Sequence, residues 1–107
     1  MGGVMGADPI VVLIAFKLQP GKESVALQVV TSLIAKVRRE EPACSGITMI
    51  RDAADPSRIL LYELWPDRES YLGPHMQTPH IKAFQAQGGD LFAGPPDITF
   101  WNRVASV

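Results

Sequence analysis

The order of elements along this sequence predicts an α+β domain with a ferredoxin-like β-α-β-β-α-β fold and a four-stranded antiparallel sheet. Short apolar runs, rich in β-branched residues and bounded by turn residues, alternate with two stretches of helical periodicity. A chain of 107 residues has room for one domain. We place it at residues 9–107, after a small, Gly-rich lead-in at residues 1–8 that we expect to be flexible.

The first half of the chain predicts a strand, a helix and a hairpin. Residues 10–18 form an apolar run that ends in a Gln-Pro-Gly turn. In residues 23–40 apolar side chains recur at i, i+4, i+7 and i+11, which is the spacing of one helix face, and Pro42 ends this helix. Residues 46–52 and 58–65 are predicted to pair as a hairpin, because an Asp-Pro-Ser turn joins them.

A broken helix and a last strand complete the predicted order. Residues 67–72 give a first short helical piece, which a Gly-Pro pair interrupts. Thr78 is well placed as the N-cap of a second piece, with Pro79 as its first helical residue, and this piece runs towards a Gly-Gly pair. Residues 97–104 are predicted to form the last strand.

Both faces of the predicted sheet are apolar, which predicts a homodimer. Apolar side chains alternate on both faces of residues 58–65, namely Ile59, Leu61 and Trp65 on one face and Leu60, Tyr62 and Leu64 on the other. The two predicted helices cover only one face. The other face would leave a large apolar area bare, so we expect a second copy of the chain to pack on it about a two-fold axis.

Composition and charge exclude several classes of partner. Ten Lys and Arg against 11 Asp and Glu give a net charge of -1, which argues against a nucleic-acid or acidic-membrane surface. The apolar run at residues 10–16 is too short to span a membrane, and residues 1–8 lack the features of a signal peptide. A single cysteine, Cys44, excludes an intramolecular disulfide. We therefore expect a cytoplasmic protein without a nucleic-acid or membrane partner.

Three polar residues stand where the apolar pattern does not explain them. Glu63 lies between Leu61 and Trp65 on one strand face, where a carboxylate has to be paired, hydrogen-bonded or protonated. A structural ion pair and a role in a pocket both remain open for it. His75 and His80 would point about 140° apart in an unbroken helix. The breaks between them remove this constraint and allow both to approach one cavity.

The two histidines are candidates for a base. His80 would be the second residue of its helix, where the positive end of the helix dipole disfavours imidazolium and a neutral ring can accept a proton. The alternative is that His75 caps or packs and that His80 is a surface residue. Their spacing fits no standard zinc pattern, and the sequence has no phosphate loop, nucleophile elbow or flavin or nicotinamide fingerprint. We expect neither a metal nor a cofactor.

Four segments resemble the antibiotic biosynthesis monooxygenase domain family, namely residues 40–46, Arg51-Asp52 with Asp55-Pro56, residues 62–65 and residues 75–84. The resemblance covers the chain from Ile10 to Val104. It implies a dimeric α+β barrel and, in part of the family, oxidation by O2 without metal, haem or flavin. The positions that resemble the family's pocket are Glu63, Trp65, His75 and His80.

The sequence departs from two branches of the family. The tailoring oxygenases carry an Asn where this chain has Leu61, and the haem-degrading branch carries a His ligand near the position of Gln85. The pattern around His75 and His80 resembles an isomerase branch as much as the quinol monooxygenases. The resemblance therefore implies the fold more firmly than the reaction.

Three functions follow from these observations. The first is a cofactor-independent monooxygenase for a small quinol or phenol, with His75, His80 and Glu63 as catalytic candidates. Its substrate-binding candidates are Trp65, Tyr62, Asn102, Arg51 and Phe84. The second is an isomerase or degradative enzyme for a small phosphorylated carbonyl compound, whose anion Arg51, Lys82 or Arg103 would hold. The third is a ligand-binding dimer without catalysis. A cationic cavity would favour the second function, and an apolar cavity would argue against it.

Overall fold

The structure is a computed structural model that describes residues 8–107. Its elements are β1 (Ile10–Lys17), α1 (Glu23–Glu40), β2 (Gly46–Arg51), β3 (Arg58–Trp65), α2 (Arg68–Leu72), a 3₁₀ turn (Pro74–Gln77), α3 (Pro79–Leu91) and β4 (Asp97–Trp101). The predicted β-α-β-β-α-β order is confirmed. Residues 1–7 of the predicted lead-in lie outside the described part of the chain.

The four strands form one antiparallel sheet in the order β2-β3-β1-β4. The central strand β1 pairs with β3 on one side and with β4 on the other, so that Val12 lies opposite both Glu63 and Phe100. On the far side of β3, Ile47 of β2 also lies opposite Glu63. This register places Glu63 in the middle of one sheet face, surrounded by apolar neighbours.

The helices cover that face, which we call the covered face. Most of the buried side chains that form the core come from its strands and from α1, namely Val12, Ile14, Phe16, Ile59, Leu61, Trp65, Ala26, Val30 and Val37. Each buried Val, Leu, Ile or Phe side chain contributes about 1.5–3 kcal/mol through removal from water. The hydrophobic core therefore lies between the sheet and the helices, and any buried site must lie within it.

The opposite face of the sheet, which we call the open face, is apolar but has no helix over it. Leu60 and Leu64 are half-buried there, and Tyr62 between them is exposed. Ile50 and Trp101 on neighbouring strands are 50% and 54% exposed. The prediction that both faces of the sheet are apolar is confirmed.

The helix boundaries agree with the sequence prediction to within a few residues. The Thr78 side chain accepts a hydrogen bond from the Ile81 backbone N–H and so caps α3, as predicted. Asp67 caps α2 in the same way by accepting from Ser70. The α3 helix continues through the Gly-Gly pair to Leu91. Among the described residues, no helix is long and apolar enough to cross a membrane.

The last strand is shorter than predicted. β4 ends at Trp101, so Asn102 and Arg103 lie beyond the sheet as exposed residues. Trp101 pairs with Val11, and only one residue of β1, Ile10, precedes Val11. The pairing of β4 with β1 stops one residue before the end of β1, where the polar residues Asn102 and Arg103 follow Trp101.

Candidate functional site

A cavity of about 150 Å³ lies between the covered face and the helices. Most of its wall is apolar, and the residues that contribute most of this wall are Ile14, Phe16, Leu33, Leu61, Met76, Ile81, Phe84 and Ile98. Four residues with polar side-chain atoms, Glu63, Tyr71, His75 and Gln85, also line it. The cavity has the size at which an apolar protein cavity holds one benzene ring.

His75 is held in the cavity wall by the break between α2 and α3. It lies in the 3₁₀ turn that follows Gly73, and its backbone carbonyl accepts a hydrogen bond of 2.8 Å from the Thr78 hydroxyl. The side chain is buried, and its Nδ1 lies 2.8 and 3.0 Å from the two carboxylate oxygens of Glu41. Burial lowers the pKa of His75 below its usual value, although the hydrogen bond and charge of Glu41 oppose this shift.

The Glu41 carboxylate determines which nitrogen of His75 carries the proton. A carboxylate can only accept, so Nδ1–H donates to Glu41 and leaves Nε2 with a free lone pair. No fully buried polar side-chain atom within residues 8–107 lacks a hydrogen-bond partner. Because Nε2 makes no hydrogen bond to these residues, it is not fully buried. His75 lines the cavity, and Nε2 is the ring nitrogen that Glu41 leaves without a proton.

Glu41 also binds the second histidine. His80 Nε2 lies 2.6 Å from Glu41 Oε2. One carboxylate at the end of α1 therefore joins the 3₁₀ turn and the start of α3, an arrangement of Glu41, His75 and His80 that we call the carboxylate clamp. Both imidazoles approach Glu41, but only His75 lines the cavity. His75 therefore contacts both Glu41 and the cavity, whereas His80 contacts Glu41.

Glu63 is the second carboxylate of the site. It is only 4% exposed, and its Oε1 accepts a hydrogen bond of 2.9 Å from the indole N–H of Trp65. Burial raises the pKa of Glu63 to about 7, with a smaller increase from the charge of Glu41, while the bond from Trp65 lowers it. Near neutral pH, Glu63 can therefore both give and take a proton.

Aromatic rings enclose the imidazole of His75. The ring centroids of Trp65 and Tyr71 lie 4.6 and 4.9 Å from that of His75, and they lie 5.7 Å from each other. Burial raises the pKa of Tyr71 well above its usual value, so that its hydroxyl stays protonated. These two rings pack against the imidazole and restrict its orientation.

The structure brings together five of the residues that the sequence analysis singled out. Glu63, His75 and Phe84 line the cavity, Trp65 contacts the His75 ring from behind, and His80 joins them through Glu41. Their roles in catalysis and substrate binding stay predictions.

The other three predicted substrate-binding residues do not line this cavity. Tyr62 points to the open face because it is the neighbour of Glu63 in β3 and strand side chains alternate. Arg51 is exposed at the end of β2 beside a separate depression that Ile50 and Leu60 also line. Asn102 was predicted to lie in the last strand; this was wrong, and it is exposed after Trp101.

Glu41 and Tyr71 were not predicted from the sequence to be site residues. Glu41 follows a helix and precedes Pro42, which is equally typical of a surface residue, and its partners lie 34 and 39 residues further along the chain. Tyr71 stands in the short helix after Trp65, where an aromatic ring is typical of core packing. No group of three or more His, Cys, Asp or Glu within residues 8–107 is arranged to hold a metal ion.

The family model described as antibiotic biosynthesis monooxygenase matches residues 9–87, which is most of the chain. The chain belongs to the antibiotic biosynthesis monooxygenase family. The matched range includes every residue of the carboxylate clamp and Glu63, and it ends within α3.

Sequence and structure relatives agree with this family. A protein of Mycobacterium tuberculosis named "Putative monooxygenase Rv0793" is 26% identical over 92 residues, which cover 86% of this chain and 88% of the relative. A structure of a putative antibiotic biosynthesis monooxygenase from Caulobacter crescentus is 29% identical, with a TM-score of 0.81 over 94% of this chain and 93% of that one. The structure of PA3566 from Pseudomonas aeruginosa has a TM-score of 0.82 at 22% identity and covers 94% of this chain and 99% of that one, which shows the shared fold.

Proposed function

We propose that this protein is a monooxygenase that oxidises a small electron-rich aromatic compound, a hydroquinone or a phenol, with O₂ and without a cofactor. One observation carries the proposal: His75, whose Nδ1 is held by Glu41 so that Nε2 keeps a free lone pair, lines an apolar cavity whose volume of about 150 Å³ suits one aromatic ring. Membership of a family of monooxygenases supports the reaction class. The size and the apolar lining of the cavity support the substrate class.

The first step is removal of a phenolic proton by His75. Its neutral imidazole accepts the proton at Nε2, and the Glu41 carboxylate stabilises the imidazolium that forms, as a carboxylate does for the histidine of a catalytic triad. His80 holds the second oxygen of Glu41 and so fixes the direction of the carboxylate. In this proposal His75 is the catalytic base, and Glu41 and His80 are positioning residues.

The substrate itself supplies the electrons for O₂. The hydroquinone anion passes electrons to O₂, a carbon–oxygen bond forms on the ring, and the oxygen–oxygen bond breaks. One oxygen atom stays on the product as a hydroxyquinone, and the other leaves as water with two protons from the substrate. The atoms therefore balance: one hydroquinone and one O₂ give one hydroxyquinone and one water. Glu63, with its pKa near 7, is placed to return a proton to the leaving oxygen.

The cavity lining argues against the phosphorylated-substrate alternative. A phosphoryl group needs Arg or Lys donors, and among residues 8–107 neither residue type lines the cavity. Arg51, a predicted anion-binding residue, lies at a separate depression that open-face residues line.

We also infer that the open face packs against a second copy of the chain. This face carries apolar side chains on all four strands, among them Leu60, Tyr62, Ile50 and Trp101. A large apolar patch on a small protein marks an interaction surface. A two-fold arrangement covers both open faces with one another.

Oxygen consumption tests the proposed reaction. Metal-free protein is mixed with a panel of hydroquinones and phenols in an oxygen electrode, with ¹⁸O₂ used to follow the oxygen atoms. We expect uptake above the uncatalysed rate, with one labelled atom in the quinone and one in water. His75→Gln should lower the rate by about 10²–10⁴-fold, the usual contribution of a general base. Gln77→Ala, an exposed change in the same turn, is the control. Uptake that never exceeds the uncatalysed rate for any substrate contradicts the proposal.

Sedimentation tests the dimer. Wild-type protein at micromolar concentration should sediment with twice the chain mass of 11.7 kDa. Tyr62→Glu places a charge in the centre of the open face and should weaken association by about 2–5 kcal/mol, as an unpaired interfacial charge does. Gln28→Glu, an exposed change on α1, should leave the mass unchanged. A wild-type monomer would refute the inference.

A further inference from the structure

A second apolar depression adjoins the cavity. It has a volume of about 430 Å³, and it shares Phe16, Phe84, Gln85 and Pro96 with the cavity. Its remaining walls come from the end of α3 and the loop before β4, namely Gly88, Gly89, Phe92, Gly94 and Pro95. Most of these wall residues are exposed, so this depression, which we call the groove, opens to solvent.

We propose that the groove holds an uncharged aliphatic chain of the substrate whose aromatic ring occupies the cavity. This inference rests on the proposed function and names its substrate class: single-ring hydroquinones or phenols that carry an apolar substituent. The four shared residues place the groove directly beside the cavity. A chain attached to the ring can therefore pass along Phe84 and Gln85 towards Pro95 and Pro96.

The cavity and the groove differ in volume, as a substrate with a compact ring and an extended chain requires. The cavity holds one ring and is too small for a fused polycyclic compound. The groove is almost three times larger but opens to solvent along its length, so it suits a flexible chain rather than a second enclosed ring. A ring with an extended substituent fits both spaces at once.

The chemistry of the lining separates the two ends of the substrate. The cavity has Glu63, Tyr71 and His75 in its wall, which suit phenolic hydroxyl groups. The groove is lined by no charged side chain, and the Gln85 amide is its one polar side chain.

The floor of the groove is aromatic. The Phe92 ring lies 4.6 Å from that of Phe16 and 5.6 Å from that of Phe84, measured between centroids. A methylene chain on this floor loses contact with water, whereas a charged chain would gain no partner.

Two glycines keep the groove open. Gly88 and Gly89 lie within α3, where glycine is less favourable than other residues by about 1 kcal/mol. A Cβ at Gly88 would lie 3.9 Å from the Phe92 ring, an ordinary contact on the floor of the groove. A larger side chain can therefore be placed there without a clash, and it would occupy the space proposed for the chain.

The test measures binding by calorimetry under nitrogen, with hydroquinone and its ethyl, butyl and hexyl derivatives. For wild-type protein we expect the Kd to fall about threefold for each added methylene, as transfer of apolar surface from water predicts. Gly88→Leu should remove this dependence on chain length and leave the Kd of unsubstituted hydroquinone unchanged. Gln87→Leu, which adds the same side chain at an exposed position outside the groove, should behave as wild type.

The outcomes separate this inference from the proposed function. A Kd that does not depend on chain length, or a dependence that Gly88→Leu retains, overturns the inference even if oxygen is consumed. A dependence that Gly88→Leu abolishes supports it even if no oxygen is consumed, and then only the proposed oxidation fails. Lack of binding by every ligand, as would follow if a second copy of the chain filled the groove, overturns the inference.

Discussion

The two faces of the sheet use the same strands and are similarly apolar, yet only one carries polar groups suited to chemistry. Adjacent residues of β3 show the difference, since Glu63 faces the helices and Tyr62 faces outward. On the covered face, burial forces each polar group to find a partner and changes its pKa. On the open face, polar groups can reach water. The raised pKa of Glu63 therefore depends on the helices that cover its face, because β3 carries apolar residues on both faces.

The largest expected effect is a difference in protein stability between substitutions on the two faces. Leu61→Ala removes a buried side chain from the core and should lower the free energy of unfolding by about 2–5 kcal/mol. Leu60→Ala makes the same change on the open face, where the side chain is half-buried in one chain. Its effect should be smaller and should grow with protein concentration if the open face forms a dimer. Urea unfolding at several concentrations measures both, and equal, concentration-independent losses would remove the distinction between the faces.

The next effect should appear in the pH dependence of stability. The pKa of Glu63 is about 7 in the folded protein, against 4.5 for a glutamate free of burial, so between these pH values the folded state binds more protons than the unfolded state. Stability from this group is therefore lost as the pH rises from 4.5 to 7, by up to about 3 kcal/mol. Glu63→Gln stays neutral, so its stability relative to wild type should rise across this window.

The stability of Glu63→Gln has to be compared with that of wild type at each pH, because His75 changes the pH dependence of stability in the opposite direction. Its pKa is lowered on folding, so its contribution is lost as the pH falls below its usual value. Both proteins carry His75, and subtracting the two urea-unfolding profiles largely removes it. Tyr62→Phe, the neighbouring change on the open face, serves as the matched control. A flat difference between Glu63→Gln and wild type would show that Glu63 is not perturbed by burial.

The smallest effect concerns the carboxylate clamp. Glu41→Gln keeps the shape of the side chain and a carbonyl oxygen that can accept from Nδ1–H, but it removes the charge that stabilises the imidazolium of His75. We expect kcat to fall about tenfold to hundredfold with little change in KM. Glu40→Gln, the exposed neighbour at the end of α1, should have wild-type kinetics. If Glu41→Gln lowers stability but leaves kcat and its pH profile unchanged, the clamp is purely structural.

The sequence predicts the fold well because its signals are local. The apolar stripe of α1, the N-cap at Thr78 and the turn before β3 each depend on a few neighbouring residues, and each agrees with the structure. The predicted end of β4 was wrong, because the residue at which a strand ends depends on its pairing with another strand. The pairing of β4 with β1 runs only from Asp97 opposite Ala15 to Trp101 opposite Val11.

The site is predicted only in part because its key contact is not local. The sequence singles out His75, His80 and Glu63, since each interrupts an apolar or helical pattern. It does not reveal that Glu41 joins both histidines, because nothing near Glu41 specifies a partner 34 residues away. Arg51 was selected for its charge, and the sheet carries it to a different surface.

The proposed division of the substrate follows a division of the chain. The clamp and Glu63 lie between residues 41 and 80, whereas the groove walls that the cavity does not share lie between residues 88 and 95. Chemistry and side-chain preference would thus be encoded in separate, contiguous stretches. A chimera that exchanges residues 88–95 with those of a relative would then transfer preference for the substituent while keeping the same base. Such modularity would let substrate range diverge through exposed positions, with the buried machinery unchanged.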